Sequence, residues 1–145
     1  MVPWLISALS MCAFITCALA QTFTNHTVDG GEISGAIGSW RGQWDLYESE
    51  LDYGGTHFAS NGSDARLIFT FEGVAVYLIG PKFPDTLDCT VAVDWGEGHH
   101  VNMTNSSGNT LPYTTLWGIS GLSNERHQLI VEKGTSENLY VDAFM

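Results

Sequence analysis

Apolar and polar residues alternate along most of this chain in short runs, and those runs set the fold class before any motif does. Between Ala65 and Phe71, the residues Ala65, Leu67, Phe69 and Phe71 fall on one side and Arg66, Ile68 and Thr70 on the other. That period is the signature of a β-strand. Val74 to Ile79 is apolar on both faces, as a strand covered on both sides would be. Glu72-Gly73 between the two runs reads as a tight turn, and Gly80-Pro81 ends the second. The stretch therefore predicts a hairpin in the middle of a sheet.

The rest of the chain supplies further strands. Gln21 to Val28 alternates weakly, Asp29-Gly30-Gly31 breaks the run, and Ile33 to Trp40 resumes it. Cys89 to Val93 and His99 to Thr104 flank a turn at Asp94-Trp95-Gly96-Glu97-Gly98. Leu111 to Trp117, His127 to Lys133 and Leu139 to Phe144 follow, punctuated by Gly118 to Ser123 and by Gly134. Residues 41–64 show no sustained period and read as a long loop, and such loops in compact domains tend to be functional. Eight or nine short strands spaced near ten residues apart, with no amphipathic helix, predict one all-β domain, an antiparallel sandwich or barrel.

The N-terminus narrows the compartment. Trp4 to Ala20 is almost wholly apolar, and Ala18-Leu19-Ala20 before Gln21 suits signal peptidase. Residues 1–20 are expected to be a signal peptide and 21–145 the folded domain, secreted to the extracellular space or the cell surface. Four Asn-x-Ser/Thr acceptors, at Asn25, Asn61, Asn102 and Asn105, predict a glycoprotein with these side chains exposed. Cys12 and Cys17 fall in the signal segment, so Cys89 is alone in the mature chain and no intrachain disulfide holds the domain. Its place in an alternating run predicts a buried, apolar thiol.

Sixteen acidic against five basic residues give a formal charge of −11. Such a surface repels phosphate backbones, which argues against nucleic acid as a partner. It suits solubility, divalent cations or neutral sugars. No membrane contact is expected beyond the signal segment.

Several short strings, in order, carry a resemblance. They are Val28-Asp29, Gly38-Ser39-Trp40, Gly54-Gly55-Thr56-His57, Phe69-Thr70-Phe71-Glu72-Gly73, Val91-Ala92-Val93-Asp94, Leu116-Trp117, Ser120-Gly121-Leu122-Ser123 and Val141-Asp142. Over residues 22–144 the chain resembles the extracellular β-sandwich module of fungal secreted and single-pass membrane proteins, itself similar to galactose-binding-like jelly rolls. The resemblance implies a jelly roll of about eight strands and carbohydrate binding as the generic role, without a catalytic set. Proteins of this type often continue into a Ser/Thr-rich stalk and a membrane helix. This chain stops at Met145, which leaves a short secreted form and an incomplete piece both open.

The residues between Trp40 and Tyr53 are the first candidate site. A sugar presents an apolar C–H face and a ring of hydroxyls, so its site needs an aromatic platform edged by carboxylate, amide or guanidinium groups. Trp44 or Tyr47 could supply the platform, with Arg41, Gln43 and Asp45 reaching hydroxyls. The plainer reading has Trp40 capping the core and the acids solvated. Asp29, Glu32 and Asp142 are candidates for a structural Ca2+, since the first and last strands of a jelly roll come close together. His99-His100 could serve a transition metal, yet neighbouring strand residues face opposite ways and no third ligand stands out. Tyr113, Trp117 and Leu122 form a second aromatic and apolar group, with Trp117 read as core. No Gly-x-Ser-x-Gly or His-Glu-x-x-His string occurs. The expectation is a non-catalytic carbohydrate-binding module without a cofactor. The alternatives are a structural or adhesive ectodomain for protein contact and a glycoside hydrolase-like enzyme.

Overall fold

The computed structural model describes Thr22 and residues 24–145. The signal segment, with Cys12, Cys17 and the proposed cleavage point before Gln21, lies outside the described residues. Ten strands follow in order: β1 (Val28–Asp29), β2 (Gly38–Arg41), β3 (Asp45–Glu48), β4 (Thr56–Ser60), β5 (Arg66–Lys82), β6 (Asp88–Val93), β7 (His99–Asn102), β8 (Leu111–Lys133), β9 (Leu139–Val141) and β10 (Ala143–Phe144). Three short 3₁₀ turns, Gly30–Glu32, Gly35–Ile37 and Tyr53–Gly55, join some of them. The strands form an antiparallel β-sandwich, as the pattern predicts, of the jelly-roll type that the resemblance implies.

Two strands are far longer than the pattern predicted. β5 runs for 17 residues straight through Glu72-Gly73, so the expected central hairpin does not exist. β8 runs for 23 residues through Gly118 to Ser123. The two pair with each other along their whole length. The register breaks between Gly73 and Ala75, where the single residue Val74 faces residues 121–124 of β8. A bulge of this kind bends both strands without ending either. Glu-Gly thus marks a bend rather than a reversal.

The bend divides the partners. Before it, β5 pairs with β2 (Gly38↔Phe69 to Arg41↔Arg66), and the matching part of β8 pairs with β6, which pairs with β7. After it, β5 pairs with β10, and β10 with β1. β3, β4 and β9 form a second sheet. Residues 41–64 are therefore not one long loop. They hold the β3–β4 hairpin, hidden from the periodicity because all four residues of β3 are exposed.

The core is where the two layers meet. Leu67, Leu78, Val91, Leu129, Val131 and Phe144 of the larger sheet and Leu139 and Val141 of the smaller one are fully buried. Phe69 and Phe144 stack across it at 4.5 Å. Cys89 is buried among them, as its alternation predicted. Burial and the neighbouring Asp88 charge push its thiol up to about 12. Trp117 is half-buried and packs on this cluster. Asn25, Asn61 and Asn102 are exposed, while Asn105 is half-buried and donates its amide to Ser107 Oγ (2.7 Å) and to the Asn109 carbonyl (2.5 Å).

Candidate functional site

The five residues expected at a sugar platform are spread by the fold over two elements and a corner. Arg41 ends β2, opposite Arg66 of β5. Its guanidinium lies 3.6 Å from the Asp64 carboxylate, both well exposed. Trp44 turns inward. It meets Trp40 edge-on at 4.8 Å, packs on the core, and donates its indole N–H to the Arg41 carbonyl at 2.8 Å. Trp40 itself donates to the Ile33 carbonyl at 3.0 Å. Gln43 is exposed, and its backbone carbonyl accepts from the Ser60 hydroxyl at 2.6 Å.

Asp45 and Tyr47 are brought together. Both belong to β3, and two-residue spacing puts them on one face of that strand. Tyr47 is 48% exposed and is the outer ring of a stack. Beneath it lies His57 at 5.3 Å and 11°, and beneath His57 lies Tyr140 at 3.8 Å and 24°. Phe83 closes the column edge-on to Tyr140 at 4.7 Å. Tyr47 and His57 are register partners on β3 and β4, which explains why the rings align. A platform backed by two further rings loses little freedom when a ligand covers it, because its rotamer is already fixed.

Neither His57, which the sequence offers only within the Gly54-Gly55-Thr56-His57 string, nor Asp52 is given a site role by the sequence, since both lie in the stretch that reads as loop. Both are buried, and His57 Nδ1 lies 2.5 Å from Asp52 Oδ2. The strand-like Thr56-His57-Phe58 run was the available signal.

Behind this stack lies an acidic pocket. Asp142 separates β9 from β10 and is 2% exposed. Its Oδ2 accepts from the Tyr53 N–H at 3.0 Å, while its Oδ1 is buried and has no partner. Asp29, at the end of β1, accepts from the Thr56 hydroxyl at 3.3 Å through Oδ2, and its Oδ1 is likewise buried and unpartnered. Burial pushes the Asp142 carboxyl up to about 7, with the Asp52 and Asp29 charges adding to it and the Tyr53 N–H opposing. Gly54 shapes the wall. It has φ +68°, and a Cβ there would sit 2.5 Å from Asp29 Oδ2. Glu32 faces the other way in role, accepting from the Asp29 N–H at 3.3 Å and closing the Gly30–Glu32 turn. Among the described residues, no three His, Cys, Asp or Glu side chains converge as a finished metal cage.

His100 does not join His99 in a metal set. It bonds Asp88 at 2.8 Å, while His99 lies 6.0 Å from Trp117.

No known family and no curated protein matches this chain by sequence. Solved structures do match it in shape. The chain is similar to an exo-β-1,3-galactanase from Phanerochaete chrysosporium bound to galactose, with TM-score 0.59 and 13% identity, over 86% of this chain. It spans only 29% of that enzyme's length. It is similar to a family 35 carbohydrate-binding module from Clostridium thermocellum, with TM-score 0.58 and 15% identity, over 84% of this chain and 98% of that one. A Paenibacillus xanthan lyase shares the fold at TM-score 0.51 and 12% identity, this chain covering 12% of it. At such identities the likeness establishes the fold alone, an antiparallel β-sandwich.

Proposed function

We propose that this chain is a secreted, N-glycosylated, non-catalytic module that binds carbohydrate, on a cell wall or another extracellular glycan. The observation that carries this reading is the Tyr47–His57–Tyr140 stack. It offers one exposed aromatic face, rigidly backed, with Asp45 beside it on the same strand face. The whole-chain likeness to a carbohydrate-binding module supports it. Tyr47 is the stacking surface and Asp45 the hydroxyl acceptor. Gln43 and Arg41 reach the ligand's periphery, and Trp44 holds the corner that positions them.

A structural Ca2+ belongs to the same reading. The unpartnered Oδ1 atoms of Asp29 and Asp142 are hard oxygen donors in a buried acidic pocket, which fits the ion's ligand preference. Glu32 would complete the set only by releasing the Asp29 N–H.

A second reading rests on exposed apolar residues. Leu46 and Tyr113 are each 56% exposed, and the Tyr113 hydroxyl donates to the Glu50 carbonyl at 2.8 Å, tying the two regions together. Such a surface would suit an adhesive ectodomain in contact with protein.

A glycan array, followed by pull-down on wall polysaccharides, decides between them. Binding that falls at least tenfold in Tyr47→Ala while the fold is kept is the expected result; one lost aromatic stacking contact plus its burial is worth roughly that. No binding to any glycan together with self-association would favour the adhesive reading.

A further inference from the structure

A cleft that shares no residue with the Tyr47 stack lies at the bulge that bends β5 and β8. It encloses about 710 Å³ and is lined by Phe71, Val74 and Tyr77 of β5, by Ile37, by Asn25 and His26 of the N-terminal segment, and by Asn124 and Arg126 of β8. That volume is in the range of small-molecule sites. Its floor is apolar and aromatic, with Phe71 half-buried against His127 at 5.4 Å. Its rim carries one carboxylate (Glu72), one guanidinium (Arg126), two amides (Asn25 and Asn124) and one imidazole (His26), all exposed.

The rim is built by the bulge itself. Glu72 and Arg126 are register partners on adjacent strands, one pair short of the Gly73↔Glu125 pair at which the register breaks. Asn124 belongs to the extra residues of β8 that have no partner beyond Val74. Such a device turns side chains that a straight ladder would space evenly toward one point. Arg126 makes no ion pair with a carboxylate among the described residues, and its Nη2 donates only a long 3.4 Å bond to the Ala36 carbonyl. Four of its five N–H donors are thus open to a ligand.

We propose that this cleft is a second carbohydrate site, taking a neutral pyranose whose apolar face rests on Phe71 and Tyr77 while Glu72, Asn124 and Arg126 bond its hydroxyls. The rim's mixed charge matches no strongly charged ligand, and the chain's −11 charge repels polyanions. A purely apolar guest would leave the guanidinium and carboxylate without partners when covered. Hydroxyls that both donate and accept satisfy all three groups at once. The inference rests on the carbohydrate reading but assigns a different locus, since none of the residues lining this cleft belongs to the Tyr47 stack.

The test is NMR titration of the full chain, enzymatically deglycosylated so that no sugar attached at Asn25 competes. The probes are β-1,3-galactotriose, β-1,3-glucotriose and β-1,4-xylotriose. The expected result is amide shifts at residues 71–77 and 124–126, with affinity reduced about tenfold in both Arg126→Ala and Asn124→Ala. Both residues are exposed, so unchanged near-ultraviolet circular dichroism should accompany the loss. Binding that shifts only residues 43–48 and is indifferent to Arg126→Ala would overturn the second site and leave the first standing. No binding of any of the three sugars to the unaltered chain would overturn both.

Discussion

Among the described residues, Asp88 is the most heavily bonded side chain. Its Oδ2 accepts from the Thr135 N–H at 3.0 Å, the Thr135 hydroxyl at 2.8 Å and His100 at 2.8 Å, and its Oδ1 accepts from the Ser136 N–H at 2.6 Å. Burial works against the charge, but these donors outweigh it and hold the carboxyl far below the usual carboxylate range. The bonds tie the start of β6 to the loop between β8 and β9. They also explain Gly134, where a Cβ would lie 2.6 Å from the Asp88 carboxyl carbon. Asp88→Asn exchanges one acceptor oxygen for a donor facing N–H groups. We expect it to destabilise the fold by about 2–4 kcal/mol, since a charged acceptor is lost and buried donors go unpaired. Urea denaturation checks this. A change under about 0.5 kcal/mol would mean that the loop is held by its other bonds.

At the scale of the elements, alternation located strands better than it located their ends. Ala65–Phe71 and Val74–Ile79 were both legible as strands because each buries a face. Their connection was misread because Glu-Gly serves a turn and a bulge equally well, and only the pairing with residues 120–125 distinguishes them. β3 was illegible for the opposite reason, since a fully exposed strand has no apolar phase to read. The stack at Tyr47 was half-legible. Its exposed ring was a candidate, but His57, Tyr140 and Phe83 come from elsewhere in the chain and align only through register. The pair joining β6's end to β8 has a pH signature. Asp94 Oδ2 bonds His127 Nδ1 at 2.7 Å, and Asp94 Oδ1 accepts from the Gln128 N–H at 2.8 Å. The Asp94 bond, then the Ser123 carbonyl, raise the His127 pKa against the effect of burial, and Glu125 adds to it. For Asp94, burial raises the pKa but the His127 and Gln128 bonds lower it overall. A raised histidine stabilises fully below its unfolded value near 6.5 and loses that contribution as pH climbs through the folded value. A lowered carboxylate stabilises above about 3.8 and loses its contribution as pH falls. The pair therefore contributes most at about pH 4–6.5. Because Asp94 is half exposed, the effect is modest, about 0.5–1 kcal/mol. Melting temperatures from pH 4 to 9 should fall on the alkaline side less steeply in Asp94→Asn than in the unaltered chain. Parallel curves would remove the pair as the cause.

For the molecule as a whole, the acidic balance and the jelly-roll closure meet at one place. The first and last strands pair, Val28↔Phe144 and Asp29↔Ala143, so that Asp29 and Asp142 are brought from opposite ends of the sequence into one pocket with Asp52. Without an ion this closure works against itself. Burial, with the nearby charges adding to it, favours a neutral Asp142, and two buried oxygens lack donors, a condition that costs roughly 1–3 kcal/mol for each group. A bound Ca2+ would reverse both effects, since it satisfies the free oxygens and favours the ionised carboxylates. At a Ca2+ concentration a hundred times its dissociation constant, linkage gives about 2.7 kcal/mol of added stability. For a domain of this size that is a rise in melting temperature of roughly 5–15 °C. The rise should be reversed by EDTA and absent with Mg2+ at equal concentration, because the smaller ion demands a stricter octahedron. Asp142→Asn separates the ion from the charge. It should stabilise the EDTA-treated protein at pH 8, where the buried carboxylate is otherwise ionised, and should abolish the response to Ca2+. An EDTA-treated protein that melts at the same temperature with and without millimolar Ca2+ would leave the pocket as a purely acidic strain point, held in place by the pairing of β1 with β10.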